Sequence, residues 1–181
     1  RVHTLALLTQ PPVQLCLQNN YLDNILQADL IFLTQAWYMY PPNFPRLKQA
    51  LDKKIPISSL TKLYFDLAPC PIIGITGSNG KSTTTALITH LLTHGGYKIH
   101  TAGNERSLYQ QILPNFHQIS QNDLIVLEIS NRQLTIDLQH SPQIGILTNI
   151  HPNHLAEHGS YQKYQETKFN LFKYQTKQDT A

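Results

Sequence analysis

Residues 72–85 combine an apolar run, a glycine-rich turn and a lysine at the start of a helical pattern. The apolar run predicts a strand, Gly77 and Gly80 allow the backbone to turn sharply, and the helix begins at Lys81. Backbone N–H groups at such a helix start, with the positive end of the helix dipole, hold phosphate oxygens. Lys81 would add a point charge and Ser82 a hydroxyl for Mg²⁺. The stretch therefore predicts a phosphate-binding loop, although its glycines do not follow the most common spacing.

Polar residues also follow two other predicted strands. Glu128 ends the apolar run 124–127, and the segment 149–154 follows a predicted strand over 144–149. Ligands of parallel α/β sheets bind at the carboxyl ends of the strands, so these residues should lie beside the phosphate loop. A carboxylate in that place is an ordinary ligand of Mg²⁺. The alternative is that Glu128 only caps the segment that follows it.

The alternation of strands and helices predicts an α/β fold with a doubly wound, mostly parallel sheet. We expect two domains, an N-terminal α/β domain over 1–69 and a second domain over 70–181. The predicted strands are Thr4–Leu8, Asp29–Leu33, 71–76, 97–102, 123–129 and 144–149. The predicted helices are Tyr21–Leu26, Pro45–Asp52, Leu60–Leu67, 81–94, 105–113 and 160–174.

Four segments resemble the Mur ligase superfamily, whose members use ATP to join an amino acid to a carboxylate. They are Gly-Ile-Thr-Gly-Ser-Asn-Gly-Lys-Ser-Thr-Thr-Thr from residue 74, Glu-Ile-Ser-Asn-Arg-Gln-Leu from 128, Asn-Ile-His-Pro-Asn-His-Leu from 149, and Tyr164 with Lys168. They occur in the family's order, and the resemblance covers residues 28–174. It implies that the domain over 70–181 is the central ATP-binding domain, present incompletely, and that the domain over 1–69 is part of a smaller Rossmann-like domain of the UDP-substrate type.

The segment at residue 128 is most similar to the D-glutamate-adding branch of the family. The resemblance thus implies a ligase of peptidoglycan precursor synthesis that adds D-glutamate to UDP-N-acetylmuramoyl-L-alanine through an acyl phosphate. Two other interpretations stay open. One is another ligase of the superfamily, such as a folylpolyglutamate synthase or a muropeptide recycling ligase. The other is a degenerate homologue that binds nucleotide without catalysis. Because family members are much longer, we expect this chain alone to be inactive.

The resemblance also implies roles for individual residues. ATP and Mg²⁺ would be the cofactors, and a second cation would be held with the help of a carbamylated Lys168. The implied catalytic residues are Lys81, His154 and Lys168; the metal ligands are Ser82, Glu128, His154 and Lys168; the phosphate contacts are Gly77, Ser78, Asn79, Gly80, Lys81, Ser82 and Thr83; and the substrate contacts are Asn104 and Ser130.

For two of these residues a simpler interpretation exists. His154 could be a solvated side chain in a histidine-rich loop, since His151 and His158 lie close by in sequence. Lys168 shares its helical spacing with Tyr164 and Leu171, which predicts a partly buried face. At the edge of such a face a lysine often extends its charged end to water.

The chain departs from the family's pattern at several positions. These are Glu105 and Arg106 after Asn104, Asn131 and Arg132 after Ser130, and Asn153 and Ala156 on either side of His154. They concern substrate recognition more than the ATP site, and they are the observations that support a degenerate homologue.

Composition excludes several classes of protein. The net charge of +3 is spread along 181 residues without a basic block, so nucleic-acid binding is not indicated. The apolar runs are too short to span a membrane. Cys16 and Cys70 lack metal-site spacing and predict free thiols in a reducing compartment. We expect a cytoplasmic monomer whose partners are a UDP-linked muramoyl substrate and an amino acid.

Overall fold

A four-stranded parallel sheet forms the centre of the larger of two units in this computed structural model. The structure describes residues 16, 21–35, 37, 43–104, 112–153 and 155–181. Contacts divide the chain into one unit of Arg1–Ile31 with Tyr40–Ile57 and a second of Phe32–Met39 with Ser58–Ala181. The predicted domain boundary near residue 70 stays a prediction.

In the smaller unit, helix α1 spans Phe44–Asp52 and buries Leu47 and Ala50 on one face. The helix predicted over Tyr21–Leu26 is wrong, because turns there lead into one 3₁₀ turn over Ile25–Gln27. Asn24 precedes that turn without a capping hydrogen bond from its side chain, and so short a segment does not sustain an α-helix. The strand predicted over Thr4–Leu8 lies outside the described residues.

Two short strands, β1 over Ile31–Leu33 and β2 over Ile57–Ser59, pair in a small sheet. Strand β1 begins two residues later than the predicted strand over Asp29–Leu33.

The central sheet consists of β3 (Ile72–Thr76), β4 (Ile99–Gly103), β5 (Leu124–Glu128) and β6 (Ile144–Leu147). Their spatial order is β4-β5-β3-β6, and all three pairings are parallel. In the register of the sheet, Ile75 aligns with Glu128 and Ile146, and Gly103 aligns with Glu128. All four carboxyl ends therefore lie along one edge of the sheet.

Helices cover both faces of this sheet, as the predicted doubly wound fold requires. The helices of the larger unit are α2 (Leu60–Leu67), α3 (Lys81–His94), α4 (Leu155–His158) and α5 (Tyr161–Phe169), with 3₁₀ turns over Leu113–Gln118, Gln133–Thr135 and Asn170–Phe172. On one face, Ile88 and Leu92 of α3 pack against Ile73, Ile75 and Val126. The other face is covered by apolar residues of α2 and of the turn after α5: Leu60, Tyr64 and Leu171 pack with Ile72, Ile125 and Leu127.

Most predicted elements of the larger unit are confirmed, with shifted ends. Helices 81–94 and Leu60–Leu67 are observed with the predicted bounds, whereas the strand predicted over 97–102 is Ile99–Gly103. The strand predicted over 144–149 ends at Leu147, because the next two residues turn toward the phosphate loop. The helix predicted over 160–174 ends at Phe169 and continues as the 3₁₀ turn. The helix predicted over 105–113 lies mostly outside the described residues.

Two further sequence predictions concern cysteines and membranes. Cys16 and Cys70 are both free thiols, as predicted. Within the described ranges, no helix combines the length and the apolar character needed to cross a bilayer.

Candidate active site

The phosphate loop connects β3 to α3, and two glycines shape it. Gly77 has a φ of +152°, and a Cβ atom built there would overlap Thr148 Oγ1, so no other residue fits without movement. Gly80 has a φ of +79° and is the N-terminal cap of α3. The loop thus has the strand, turn and helix start that the sequence predicts.

The segment after β6 fixes the far side of this loop through hydrogen bonds. Asn149 O accepts from Ser78 N at 3.0 Å, and Asn149 Oδ1 accepts from Asn79 N at 3.0 Å. Asn149 Nδ2 and Thr148 Oγ1 both donate to Asn79 O, at 3.1 and 2.7 Å. Two of the loop's N–H groups are therefore already used within the protein.

The first turn of α3 supplies the remaining donors. The N–H groups of Lys81, Ser82 and Thr83 have no acceptor within the helix, because an α-helical N–H donates to the carbonyl four residues earlier, and for these residues that carbonyl lies before the helix. Ser82 and Thr83 are also exposed. An anion at this helix start would be bound by these three N–H groups and by the helix dipole.

Lys81 lies folded against the loop. Its Nζ donates to Gly77 O at 3.0 Å and to Ser78 O at 3.1 Å. Burial lowers the pKa of Lys81, and the negative charge of Glu128 opposes that shift. The ammonium group thus contacts the loop and is close enough to the carboxylate at the end of β5 to be influenced by its charge.

Helix α5 contacts the loop and its neighbouring segment through three side chains on one face. Tyr164 Oη lies 2.8 Å from Ser78 Oγ, and Lys168 Nζ donates to Gly77 O at 2.8 Å. Tyr161 Oη donates to Ile150 O at 3.1 Å. Spacings of three and four residues place these side chains on the same side of a helix. The sequence predicted the shared face but not that it packs on the phosphate loop.

Lys168 is a buried lysine, with only 1 % of its surface exposed. Its Nζ also lies 4.8 Å from the centre of the Tyr164 ring. Burial, followed by the positive charge of Lys81, lowers the pKa of Lys168 from 10.5 to about 8. The alternative that this lysine extends into solvent is wrong. Roughly a tenth of such amines are neutral at pH 7, and only the neutral form can act as a nucleophile.

Glu128 is buried at the end of β5, with 1 % of its surface exposed. Its Oε1 accepts from Asn104 Nδ2 at 3.2 Å, whereas the buried Oε2 has no hydrogen-bond partner in the part of the chain that the structure describes. An unpaired buried carboxylate oxygen is costly unless a cation or donor joins it. Oxygen ligands are what Mg²⁺ prefers, so Glu128 fits the predicted metal role.

Asn104 and Gly103 hold the end of β4 against Glu128. Asn104 N donates to Glu128 O at 2.9 Å. Gly103 has a φ of +131°, and a Cβ atom there would overlap the backbone of Glu128. The predicted substrate residue Asn104 therefore also positions the predicted metal ligand.

Ser130 begins a compact turn after β5. Its N and Oγ donate to Gln133 Oε1 at 2.8 and 2.9 Å, and Gln133 Nε2 donates to Thr61 Oγ1 at 2.8 Å. The Ser and Gln of the Glu-x-Ser-x-x-Gln-Leu segment are thus hydrogen-bonded to each other. The next two residues, Asn131 and Arg132, bond to His158 and Glu157 of α4.

A cavity of about 180 Å³ brings several of these residues together. Its lining consists of Gln35, Lys81, Asn104, Ser130, Asn131 and Arg132. Two cations and four uncharged polar residues make it suited to an anionic ligand. Sequence reasoning missed Gln35, whose only signal is its position just after β1, at the end of a strand.

The predicted histidine ligand and two of the departures lie in stretches that the structure does not describe. His154, Glu105 and Arg106 lie outside the described residues. The neighbouring His151 is exposed and its N donates to Ser78 Oγ at 2.9 Å, whereas His158 is buried. Among the residues described, no three of the types His, Cys, Asp and Glu form a metal-binding group.

The remaining two departures lie on opposite sides of His154 in the chain. Asn153 is exposed. Ala156 lies within α4, and its side chain is outside the described part of the chain.

A phosphate loop, an adjacent buried carboxylate and a parallel sheet covered on both faces define an α/β nucleotide-binding domain. The family model described as the Mur ligase middle domain matches residues 75–181, and the chain belongs to this family.

Two curated relatives share one name. The UDP-N-acetylmuramoylalanine–D-glutamate ligase of Acetivibrio thermocellus is 34% identical over 167 residues, which cover 92% of this chain and 34% of that protein. The ligase of the same name from Clostridium botulinum, strain Loch Maree, is 36% identical over 165 residues, covering 91% and 34%. This chain thus spans about a third of the length of the curated relatives it matches.

A solved structure supports the fold. The UDP-N-acetylmuramate-alanine ligase of Thermotoga maritima aligns with a TM-score of 0.52 and 22% identity, covering 84% of this chain and 34% of that one. At this identity the likeness concerns the fold alone.

Proposed function

We propose that this chain supplies the ATP-binding part of a ligase that adds D-glutamate to UDP-N-acetylmuramoyl-L-alanine in peptidoglycan precursor synthesis. Family membership and the names of the relatives support this proposal. The observation that carries it is the placing of Lys81 and the buried Glu128 at one sheet edge, beside a polar cavity that Lys81 lines.

ATP phosphates are bound at the start of α3. The N–H groups of Lys81, Ser82 and Thr83 face the anion, and the Lys81 ammonium leaves the loop carbonyls to neutralise phosphate oxygens. Ser82 Oγ and the buried Glu128 Oε2 would hold Mg²⁺, which would neutralise charge on the phosphates.

In the proposed reaction, an oxygen of the acceptor carboxylate takes the γ-phosphoryl group, and ADP leaves. The amine of D-glutamate then attacks the acyl phosphate, a C–N bond forms, and phosphate and a proton are released. The acceptor lies in the cavity beside Lys81, where Asn104 and Ser130 line the wall. Positioning and charge neutralisation are the protein's contributions.

Lys168 is the proposed site of carbamylation. Its neutral amine attacks CO₂, a N–C bond forms, a proton is lost, and a carboxylate-like anion results. Its depressed pKa supports this step, because it raises the neutral fraction near pH 7. The carbamate, with His154, would hold the second cation. We also propose that the protein is a cytoplasmic monomer.

The test is ATP-dependent phosphate release by the full-length gene product with UDP-N-acetylmuramoyl-L-alanine, D-glutamate and bicarbonate. Release should need both substrates and should disappear in Lys81→Ala. The matched control is Lys173→Ala, which removes a half-exposed lysine that pairs with Asp137 and should change nothing. Release with a different acceptor, such as a folate or a free muropeptide, would identify another ligase of the superfamily. Nucleotide binding without release on any acceptor would establish a non-catalytic homologue.

A further inference from the structure

Two adjacent departures from the family pattern bond to two adjacent residues of α4. Asn131 Nδ2 lies 2.8 Å from His158 Nε2. Arg132 donates to Glu157 twice, from Nε to Oε2 at 3.0 Å and from Nη2 to Oε1 at 2.7 Å. These four residues, which we call the clasp, join the turn after β5 to a helix that begins more than twenty residues later.

The clasp is built for rigidity. Asn131 and His158 are both more than nine-tenths buried, so their hydrogen bond is shielded from water. Arg132 and Glu157 retain about a quarter of their side-chain surface, and their two parallel hydrogen bonds fix the plane of the guanidinium. Glu157 raises the pKa of Arg132, so the arginine keeps its charge at any working pH.

Its outer side forms part of the cavity. Asn131 and Arg132 both line the space that Lys81, Asn104 and Ser130 also line. The clasp is thus placed where the proposed acceptor would contact the protein, on the wall that includes Lys81.

Its inner side is connected to the phosphate loop. The His158 ring stands edge-on to the Tyr164 ring, with centres 5.2 Å apart. Tyr164 Oη in turn lies 2.8 Å from Ser78 Oγ. The clasp and the loop are therefore joined by packed side chains, through the single ring of Tyr164.

We propose that Asn131 and Arg132, held by His158 and Glu157, are positioning residues for the anionic acceptor in this cavity. This inference rests on the proposed ligase function and deepens it. An anionic oxygen of the acceptor, from its carboxylate or from its diphosphate, is the group that the clasp orients toward Lys81. The departures at 131 and 132 then define acceptor recognition and are not signs of decay, since each has a matched partner.

The experiment measures binding by calorimetry on the full-length gene product, without turnover. Three ligands are titrated: UDP-N-acetylmuramoyl-L-alanine, UDP as the diphosphate without the carboxylate, and N-acetylmuramoyl-L-alanine as the carboxylate without the diphosphate. A non-hydrolysable ATP analogue is titrated separately. In Glu157→Gln we expect acceptor affinity to fall about tenfold, while affinity for the ATP analogue changes less than twofold. Whichever of the two partial ligands loses affinity identifies the oriented group.

Two further variants separate positioning from folding. Asp137→Asn breaks the half-exposed pair with Lys173 away from the cavity and should leave every affinity unchanged. The double variant Arg132→Glu with Glu157→Arg restores the ion pair with its two charges in exchanged positions. A merely structural pair would be rescued by this exchange in both stability and acceptor binding, whereas a positioning arginine would be rescued in stability alone.

The inference is overturned if Glu157→Gln binds the acceptor as tightly as the wild type, or if acceptor and ATP analogue lose affinity equally. It is also overturned if the exchange restores acceptor affinity. If the wild type itself binds none of the three acceptor ligands, the proposed function fails first, which distinguishes the two failures.

Discussion

The two sides of the same sheet edge are built in different ways. Beside β3 and β6, the phosphate loop is held closed by its hydrogen bonds with Asn149, Tyr164 and Lys168. Beside β4 and β5, Glu128 Oε2 is buried without a hydrogen-bond partner in the described ranges, and a cavity is lined by Asn104. The loop is thus shaped in advance by the protein, whereas the carboxylate side is left for a ligand to complete.

This difference has a physical reason. A set of N–H groups binds phosphate well only if the groups already point to one place, so the geometry is held by bonds within the protein. A metal ligand has the opposite requirement, because a carboxylate oxygen that is already hydrogen-bonded has less to offer a cation. Three substitutions test this contrast.

The largest effect is expected from Gly77→Ala. The new methyl group would overlap Thr148 Oγ1, and the backbone there has a positive φ. Overpacking and backbone strain together should lower the unfolding free energy by about 4 kcal/mol. Nucleotide affinity should fall with it, because the loop cannot keep its shape. Urea unfolding and titration with an ATP analogue measure both.

The control is Gly96→Ala. Gly96 also has a positive φ, of +87°, but among the described residues no heavy atom comes within 4 Å of an added Cβ. Gly96→Ala should lower the unfolding free energy by about 1 kcal/mol, from backbone strain alone. If both variants lost the same unfolding free energy, the close packing of the loop against Thr148 would not contribute to the effect.

An intermediate effect is expected from Glu128→Gln. Glutamine keeps the acceptor for Asn104 Nδ2 but replaces the unpaired anionic oxygen with an uncharged amide. Phosphate release should fall about 100-fold, equivalent to about 2.7 kcal/mol, and Mg²⁺ should no longer tighten nucleotide binding. Glu166→Gln, on the exposed side of α5, is the control. A variant that still responds to Mg²⁺ like the wild type would remove Glu128 from the metal site.

The smallest effect concerns Lys168 and the pH dependence of stability. Because its folded pKa of about 8 lies below the ordinary 10.5, the unfolded chain binds more protons between these values. The unfolding free energy should therefore rise with pH across that window, by about 2 kcal/mol from pH 7 to pH 9.5, and should stay flat below it.

In Lys168→Met this rise should be absent, since methionine does not titrate. Urea unfolding at the two pH values in CO₂-free buffer measures it. Lys81, whose pKa is also lowered, titrates in both proteins, and the loss of the neighbouring Lys168 charge reduces its contribution to the rise, so the difference between the two proteins keeps the same sign. If the unfolding free energy of Lys168→Met rose as much between the two pH values as that of the wild type, Lys168 would not be held in a desolvated state.

Much of this molecule could be predicted from local sequence. The alternation of apolar runs and helical patterns predicted the parallel sheet, and β5 is as buried as its continuous apolar run indicates. Helix α3 has the predicted bounds, because Gly80 before Lys81 and Gly95 after His94 stop it at both ends. Where local signals are weak, as at Tyr21, the predicted helix was wrong.

The sequence by itself determined the strand, turn and helix of the phosphate loop, since backbone stereochemistry acts between neighbouring residues. Only the tertiary structure decided which groups complete the site. Lys168 donates to a carbonyl 91 residues away, and Asn149 takes two N–H groups of the loop from 70 and 71 residues away. Arg132 finds Glu157 at a separation of 25. Burial and pairing at such separations depend on how the sheet and helices pack, and no local pattern specifies them.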